Sequence, residues 1–370
     1  MDDGTDANQF NLNLLVLEDA DIIVDGSKSI TEITDFIKVK LFEVITDPKE
    51  KVDLRKEDCN MGMYSSNINT KQFQILTDIN LIWDFMVEIY GRNFTNGVAA
   101  PFYEYAITST WMDISYQYLN RIWFDGDKVV AFVFTESPVT NIFFNLRPGY
   151  EELVEELLDY AEEYMPNFDN QRQFILFKGQ DSLMDAVAKR GYRKMDEEHD
   201  FIFDFQNELT YKLPEGFHFV KESEVDPVKL ARCCWKGFDH EQEKGPFEKW
   251  EEADCGTNWN PQKGYNGVRK VKMCPAPHAT PQFDIIIANE EEEYVCYSGM
   301  WWVKENNLAY MEPLCTIPEY RNRGLAAVAL SKHYERMKKL GATHMTGGGN
   351  EFYKKIGYSD GIVWTHWKKS

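Results

Sequence analysis

The order of predicted helices and strands repeats within this chain. The apolar periodicity of residues 71–206 predicts a helix, a β-hairpin, a second helix, a strand, a third helix and a closing strand. The pattern breaks at Pro214 and Gly216, and the same order of elements returns after them. A repeated order of elements indicates a duplicated domain. The length of 370 residues also suits about two domains, each large enough to bury its own core.

We therefore divide the chain into four segments and predict the α/β (α+β) fold class. In the first segment, which has no assigned chemistry, residues 11–24 could form a strand pair and 29–45 a helix with a capping box. The segments are an extension (1–70), a first domain (71–206), a linker (207–216) and a second domain (217–370).

Composition narrows the range of partners and locations. The net charge of −21 argues against a nucleic-acid partner, because phosphate binding needs clustered basic residues. No apolar run reaches the roughly 18 residues of a membrane span, so we expect no membrane partner. The acidic N-terminus lacks the regions of a secretory signal, which makes a cytoplasmic location the expectation. Seven cysteines without a CxxC pair predict neither a disulfide framework nor a metal site.

Residues 321–355 reverse the acidic balance of the chain. This window has eight Lys or Arg against two Glu, so a small anion could bind there. Other phosphate motifs fit the sequence less well. It has no GxxxxGK[ST], and TGGGN at 346–350 lacks the GxGxxG spacing, which disfavours ATP-dependent phosphoryl transfer and hydride transfer.

One loop in this basic window has the features of a phosphate site. A predicted strand ends at Pro318, Arg321 and Arg323 follow, and Gly324 begins a helix. The first amides of a helix have no intrahelical partner and the helix dipole is positive there, so a phosphate is favoured. Gly324 lets the anion approach the backbone, and the small Ala326 leaves room beside it. The alternative is an ordinary strand-loop-helix connection with solvated arginines.

Two motifs in this region resemble the acetyl-CoA signature of the GCN5-related N-acetyltransferase (GNAT) superfamily. The first is Arg321-x-x-Gly324-x-Ala326 after a strand that ends in proline. The second is NEFYKKIGY at 350–358, about 25 residues further along the chain. The resemblance implies acetyl-CoA as the acyl donor, no metal, and direct transfer in a ternary complex.

The resemblance covers 283–370 strongly, extends more weakly from 215, and is one of element order only over 71–206. It implies two tandem GNAT-like domains, each with a mixed, mostly antiparallel central sheet flanked by helices. The first copy lacks R-x-x-G-x-A, and its helix after Gly149 carries seven acidic residues and no basic one. Carboxylates near a helix start repel a pyrophosphate. We therefore expect a degenerate first copy and one working site in the second half.

The resemblance also implies roles for individual residues. The amides of the loop would hold the pyrophosphate, and the strand before the loop would pair with the pantetheine arm. Tyr353 matches the tyrosine that protonates the departing thiolate, with a core aromatic as the alternative. Asn350 matches a frequent CoA contact. The cofactor-binding residues predicted in this way are Cys315, Thr316, Ile317, Arg321, Asn322, Arg323, Gly324, Leu325, Ala326, Asn350 and Tyr353.

Glu312 is the predicted catalytic base. An amine must lose a proton before it attacks a thioester, so the reaction needs a base, which acts directly or through water. Glu312 lies on the strand that runs into the loop, where several relatives hold a catalytic carboxylate. The alternative is a carboxylate that only binds a cationic substrate or caps a neighbour.

The acceptor pocket is predicted within the stretch 235–252, between the first helices of the second domain. Aromatic side chains together with carboxylates suit a cationic amine. The alternative is an exposed pair of acidic helices. The predicted substrate-binding residues are Trp235, Phe238, Asp239, His240 and Glu241.

These observations predict an N-acetyltransferase that acts on a primary amine of a cationic small molecule or peptide. Two alternatives stay open at this point. One is a transferase of the same tandem fold that uses aminoacyl-tRNA, which the strongly negative chain and the intact loop disfavour. The other is a non-catalytic, acyl-CoA-binding regulatory module in which Tyr353 and Glu312 are only structural.

Overall fold

A computed structural model gives the structure of residues 68–109, 112–247 and 276–369. The strand pair expected at 11–24 and the helix expected at 29–45 lie outside these residues. The described residues combine helices with a large sheet, which confirms the α/β class. None of the helices among them is long and apolar enough to cross a lipid bilayer.

The helices of the described residues follow the predicted order of elements. The helix predicted around "DINLIWDFMVEIY" is present as the first of them, and α5 begins where the Asp226 carboxylate accepts hydrogen bonds from the amides of Val228 and Lys229. The helices are α1 (Ile75–Glu88), α2 (Ala100–Thr108), α3 (Val154–Tyr164), α4 (Asp181–Lys189), α5 (Pro227–Gly237), α6 (His240–Lys244), α7 (Leu325–Leu340) and α8 (Glu351–Lys355).

The strands form one mixed, mostly antiparallel sheet, in the order β1-β2-β3-β4-β5-β12-β6-β11-β10-β9-β8-β7. The parallel pairs are β4 with β5 and β10 with β11. The strands are β1 (Ile68–Gln72), β2 (Arg121–Asp125), β3 (Lys128–Thr135), β4 (Asn141–Leu146), β5 (Gln173–Phe177), β6 (Tyr192–Asp204), β7 (Phe217–Phe219), β8 (Ile285–Asn289), β9 (Tyr294–Val303), β10 (Leu308–Thr316), β11 (His344–Thr346) and β12 (Ser359–Lys369).

The two halves of the chain exchange their closing strands. The closing strand of the second half, β12, lies between β5 and β6 and pairs antiparallel with both, for example Trp364 with Phe177. The closing strand of the first half, β6, pairs in turn with β11 of the second half, for example Phe203 with Met345. Each closing strand therefore lies beside the fifth strand of the other half. The two expected domains share one continuous sheet.

The central strands are apolar on both faces because helices cover both faces of the sheet. On β3, Phe132 and Phe134 pack in the cluster that includes residues of α1 and α2. Val130 and Val133 pack in the cluster with α3 and α4 on the opposite face. In the second half, α5 and the start of α7 pack in one cluster with β8, β9 and β10. Strands buried on both faces read as continuous apolar runs, which is why the sequence pattern found them.

Some elements differ from the prediction. The sheet begins at Ile68, and β6 extends from Tyr192 through a polar, exposed stretch before the predicted apolar segment. The linker 207–216 lies against α7, because Leu209 is buried and the amide of Tyr211 donates a 2.9 Å hydrogen bond to Ser331 Oγ. Four further elements (β1, α2, β4 and β7) were not predicted.

Candidate active site

The strands β10 and β11 separate and leave an opening in the sheet. Their parallel pairing covers only Leu308 with His344 and Ala309 with Met345. One residue further, the amide of Met311 donates a 2.8 Å hydrogen bond to Thr346 Oγ1 instead of to a backbone carbonyl. We call this space, between residues 312–316 of β10 and the segment after β11, the β10–β11 opening. It leaves one edge of β10 free to pair with an extended ligand.

Glu312 lies at a bulge in β10 that faces this opening. The register of β10 against β9 shifts between Met311 and Leu314, and the Glu312–Pro313 peptide is cis. A Cβ atom added at Gly299 of β9 would lie 2.3 Å from the carbonyl oxygen of Glu312. Position 299 therefore requires glycine, because any side chain would collide with the bulge that presents Glu312.

The loop before α7 has the predicted form of an anion site. Asn322 and Gly324 both have positive φ angles, 61° and 81°, and Gly324 is the N-cap of the 16-residue helix α7. The first turn of α7 contains no acidic residue and its N-cap has no side-chain hydrogen bond. A Cβ atom added at Gly324 would meet no protein atom within 4 Å. The loop thus presents helix amides toward open space, where a phosphate is favoured.

The Arg321 side chain points back to the protein. Its guanidinium donates to the carbonyl oxygens of Thr316 and Gly237 at 3.1 and 2.9 Å, and to Asp239 Oδ2 at 2.8 Å. These bonds tie the loop to the end of α5. Arg323 stacks over the Tyr320 ring and donates to the Glu319 carbonyl. The side chains of Arg321 and Arg323 therefore stabilise the conformation of the loop. The backbone of 322–326 remains available to a ligand.

The backbone of Ile317 is already bonded within the protein. Its amide donates to the Val295 carbonyl at 3.0 Å, and its carbonyl accepts from the Tyr320 amide at 3.0 Å. Both backbone groups of Ile317, which was predicted to bind the cofactor, are therefore used inside the protein. Because backbone groups of a strand point alternately to its two sides, Thr316 directs its own groups away from β9. Cys315 is buried and pairs with Tyr297 of β9, so its backbone faces β9 rather than the opening.

Tyr353 lies beside the opening, on the short helix α8 that Asn350 caps through a 2.9 Å hydrogen bond from the Phe352 amide. A Cβ atom added at Gly348 would lie 3.9 Å from the Tyr353 hydroxyl oxygen. Burial raises the pKa of Tyr353, and the negative charges of Glu312 and Asp200 raise it further, while a hydrogen bond from the Gly348 backbone lowers it. The phenol therefore keeps its proton at neutral pH, as a proton donor requires.

The carboxyl of Glu312 is suited to accept a proton near neutral pH. Burial raises its pKa to about 7, with a further contribution from the negative charge of Asp200, while a hydrogen bond with Tyr310 lowers it. A carboxylate with a pKa near the working pH combines a useful fraction of the basic form with a real affinity for the proton. The geometry thus brings a base candidate and an acid candidate to the same opening.

Two further carboxylates, both from the first half, lie near Glu312. Burial raises the pKa of Glu136, at the end of β3, to about 7, and the charge of Glu312 adds to this shift. Burial likewise raises the pKa of Asp200, on β6, to about 6. The sequence pattern missed both residues, because each borders an apolar strand and looks like an ordinary polar strand end. The only signal was a charge beside a buried run, which is too common to select them.

The predicted acceptor residues lie at the end of α5 and the start of α6. Trp235 is fully buried beside Phe247, and its Nε1 donates to the Gly245 carbonyl at 3.0 Å. The sequence predicted that Trp235 contacts the acceptor, whereas in the structure its ring is a core side chain. Asp239 forms the ion pair with Arg321 described above. Phe238, His240 and Glu241 are half-buried near the end of α5.

In the first half the corresponding opening is filled by protein. The amide of Leu146, at the end of β4, donates to the Asn96 carbonyl at 2.9 Å. The Asn145 side chain bonds both the amide and the carbonyl of Val98, at 3.1 and 3.0 Å. The amide of Gly149, where the anion site would be, donates to Glu151 Oε1 at 3.0 Å. The groups that would bind a ligand here are satisfied by the chain itself.

Among the residues that the structure describes, no group of three or more His, Cys, Asp or Glu side chains could hold a metal ion. The four cysteines in the described ranges that have free thiols, Cys233, Cys234, Cys296 and Cys315, are all buried.

Comparison with known proteins gives one family and one fold. Residues 235–358 match the model of the acetyltransferase (GNAT) family. No curated protein matches the sequence. A solved GCN5-related N-acetyltransferase from Sphaerobacter thermophilus is similar to this chain with a TM-score of 0.50 and 11% identity, over 83% of this chain and 96% of that chain. At this identity the likeness shows the fold alone, and it confirms the predicted GNAT fold.

Two other solved structures are similar at slightly lower scores. One is an acetyltransferase from the GNAT family of Colwellia psychrerythraea, with a TM-score of 0.49 and 8% identity over 82% of this chain and 100% of that chain. The other is a tandem GNAT protein from the clavulanic acid biosynthesis pathway, with a TM-score of 0.47 and 11% identity over 81% and 97%. We take the fold from the Sphaerobacter structure alone.

Proposed function

We propose that the chain is an N-acetyltransferase with one active site in its second half, from the premise that residues 235–358 match the model of the acetyltransferase (GNAT) family. Acetyl-CoA is the proposed donor, and a primary amine of a cationic small molecule or peptide is the proposed acceptor. The observation that carries the proposal is the position of Glu312 and Tyr353 on the β10–β11 opening, next to the loop that begins α7.

Two segments of this chain bind acetyl-CoA, and together they position its thioester. The backbone amides at the start of α7 bind the pyrophosphate, because the helix terminus is positive and carries no acidic side chain. The edge of β10 that faces the β10–β11 opening pairs with the amides of the pantetheine arm. Together they place the thioester at the bulge that carries Glu312. The donor supplies an acetyl group on a sulfur that leaves readily as a thiolate.

Glu312 and Tyr353 move the protons. Glu312 takes a proton from the acceptor ammonium, directly or through water, so that the amine nitrogen can attack the acetyl carbonyl. The new C–N bond forms as the C–S bond breaks, and Tyr353 gives its proton to the departing sulfur. The nitrogen loses its second proton to water, and the Tyr353 phenolate takes a proton back from water. The carboxylates of Glu136 and Asp200 support the choice of a cationic acceptor, since they add negative charge beside Glu312.

We expect one CoA to bind per chain. In the first half, Asn96 and Val98 fill the equivalent opening, and the Gly149 amide already donates a hydrogen bond to the Glu151 carboxylate. Isothermal titration of the full chain with CoA measures the stoichiometry. Two equivalent CoA sites per chain would contradict the proposal that the first half is a degenerate copy.

Thiol release tests the activity itself. The full chain is incubated with acetyl-CoA and a panel of polyamines, amino acids, aminoglycosides and peptide N-termini, and free CoA thiol is measured. With an acceptor from this panel, we expect kcat/KM to rise with pH through about 7, because Glu312 is an active base only when it is deprotonated. Glu312→Gln should lower turnover and remove this inflection, since an amide cannot take the proton.

Two results would count against the enzyme. CoA binding without thiol release for any acceptor in the panel would favour a regulatory acyl-CoA-binding module. Thiol release by Glu312→Gln at the wild-type rate and with the wild-type pH profile would remove Glu312 from the mechanism.

A further inference from the structure

The strand exchange brings a carboxylate of the first half into the site of the second half. On β6, Ile202 pairs with Thr346 of β11 on one side and with Ser359 of β12 on the other. Asp200 lies two residues before Ile202 on the same strand, opposite Ile362 of β12. The strand that carries Asp200 is therefore held inside the sheet between two strands of the second half.

Asp200 is fixed in place against the segment that follows β11. The Trp364 Nε1 donates a 2.8 Å hydrogen bond to Asp200 Oδ2. A Cβ atom added at Gly349 would lie 3.4 Å from Asp200 Oδ1 and 2.7 Å from the His199 carbonyl. A Cβ atom added at the preceding residue, Gly348, would lie 3.5 Å from the Tyr353 ring. The Asp200 carboxylate thus lies on the wall of the β10–β11 opening that also holds Tyr353.

Several titratable groups interact with Glu312 through charge or a hydrogen bond. Asp200 approaches from β6, Glu136 from the end of β3, Tyr353 from α8 and Tyr310 from β10 itself. The two carboxylates are both contributed by the first half. Of these groups, Tyr310 donates a hydrogen bond to Glu312, and Asp200 acts on it through charge.

We propose that Asp200 is a positioning residue for the acetyl transfer, which acts on Glu312 from the first half of the chain through the exchanged strand β6. The inference rests on the proposed function of Glu312 as the base. Asp200 does not touch the reacting atoms. Its negative charge makes Glu312 hold a proton more tightly, so that the carboxylate is a stronger base than an isolated glutamate. The site of the second half is therefore incomplete without the first half.

A double-mutant cycle tests the coupling without any acceptor. The full chain, Asp200→Asn, Glu312→Gln and the double variant are unfolded with denaturant at pH 5 and pH 8. At pH 8 both carboxylates are ionised and repel each other, so removal of either charge removes this repulsion. We expect the two changes in midpoint to be non-additive at pH 8, with the double variant gaining less than the sum, and additive at pH 5. The asparagine retains an oxygen that can accept from Trp364.

The pH dependence of activity tests the effect on the base. With an acceptor from the thiol-release panel, Asp200→Asn should move the kcat/KM inflection of the full chain to lower pH. Asp196→Asn is the matched control, since Asp196 is an exposed carboxylate on the same strand. We expect Asp196→Asn to keep the wild-type inflection, and its change in midpoint to be additive with that of Glu312→Gln at both pH values.

Additive midpoints at both pH values would overturn the proposal, because Asp200 and Glu312 would then not interact. An unmoved inflection in Asp200→Asn would do the same. If the midpoints are non-additive but the chain releases no thiol, Asp200 and Glu312 interact and only the proposed function of Glu312 fails. The failure of the Asp200 proposal can therefore be told apart from the failure of the proposed function.

Discussion

Tyr353→Phe is expected to lower turnover about 10²–10⁴-fold and to leave CoA affinity close to that of the wild type, because a positioned acid contributes in this range. The substitution removes one hydroxyl and keeps the ring, which packs in the same cluster as Phe203 and Tyr358. Without the phenol proton the CoA sulfur has to leave as an unprotonated thiolate. Steady-state thiol release and isothermal titration with CoA measure the two quantities on the same preparation.

Tyr358→Phe is the matched control for this experiment. The two rings lie 5.1 Å apart, and the Tyr358 hydroxyl is buried without a hydrogen-bond partner in the described structure. Its removal should therefore leave turnover unchanged. If Tyr353→Phe turns over within a factor of about two of wild type, the residue is a core aromatic rather than the acid.

Gly324→Glu is expected to reduce CoA binding below what calorimetry detects. The position has a φ of 81° and an added Cβ meets no protein atom within 4 Å, so the new side chain can extend into the place of the pyrophosphate. A carboxylate there also opposes an anion at the start of α7. The left-handed backbone conformation adds a cost of roughly 1–2 kcal/mol to folding, which is separate from the effect on binding.

Gly341→Glu separates these two effects. Gly341 is at the other end of α7, with a φ of 95° and likewise no protein atom within 4 Å of an added Cβ. It should lose a similar amount of stability and keep its affinity for CoA. A folded Gly324→Glu variant that binds CoA as tightly as Gly341→Glu would place the pyrophosphate elsewhere.

The sequence predicted individual helices and strands better than it predicted which strands lie side by side in the sheet. Apolar runs such as 285–289 and 294–303 identified buried strands, because both faces of these strands pack against helices or neighbouring strands. The basic loop and its glycine were also found in advance, because φ and charge requirements at a helix start are local. The strand exchange could not be predicted in this way. Periodicity shows that a segment is a strand but carries no information about which strand lies beside it.

The site was predictable to the same degree. Glu312 and Tyr353 lie on segments with a recognisable motif, and the structure places both at the opening. Asp200 and Glu136 reach the site through the tertiary arrangement of the first half, which no local pattern encodes. Trp235 was assigned to the substrate on composition alone, whereas its ring and its Nε1 are both used inside the core.

The exchange of closing strands also governs when the chain can fold. β12 occupies residues 359–369 and pairs with β5 at 173–177, so these partners are separated by almost half of the chain. Pairings between residues far apart in sequence slow folding, because the intervening chain must be ordered first. During synthesis, β5 has no neighbour on this edge until residues 359–369 have left the ribosome, and the edge is open to aggregation for that time. Completion of the sheet of the first half therefore depends on a strand that belongs to the second half.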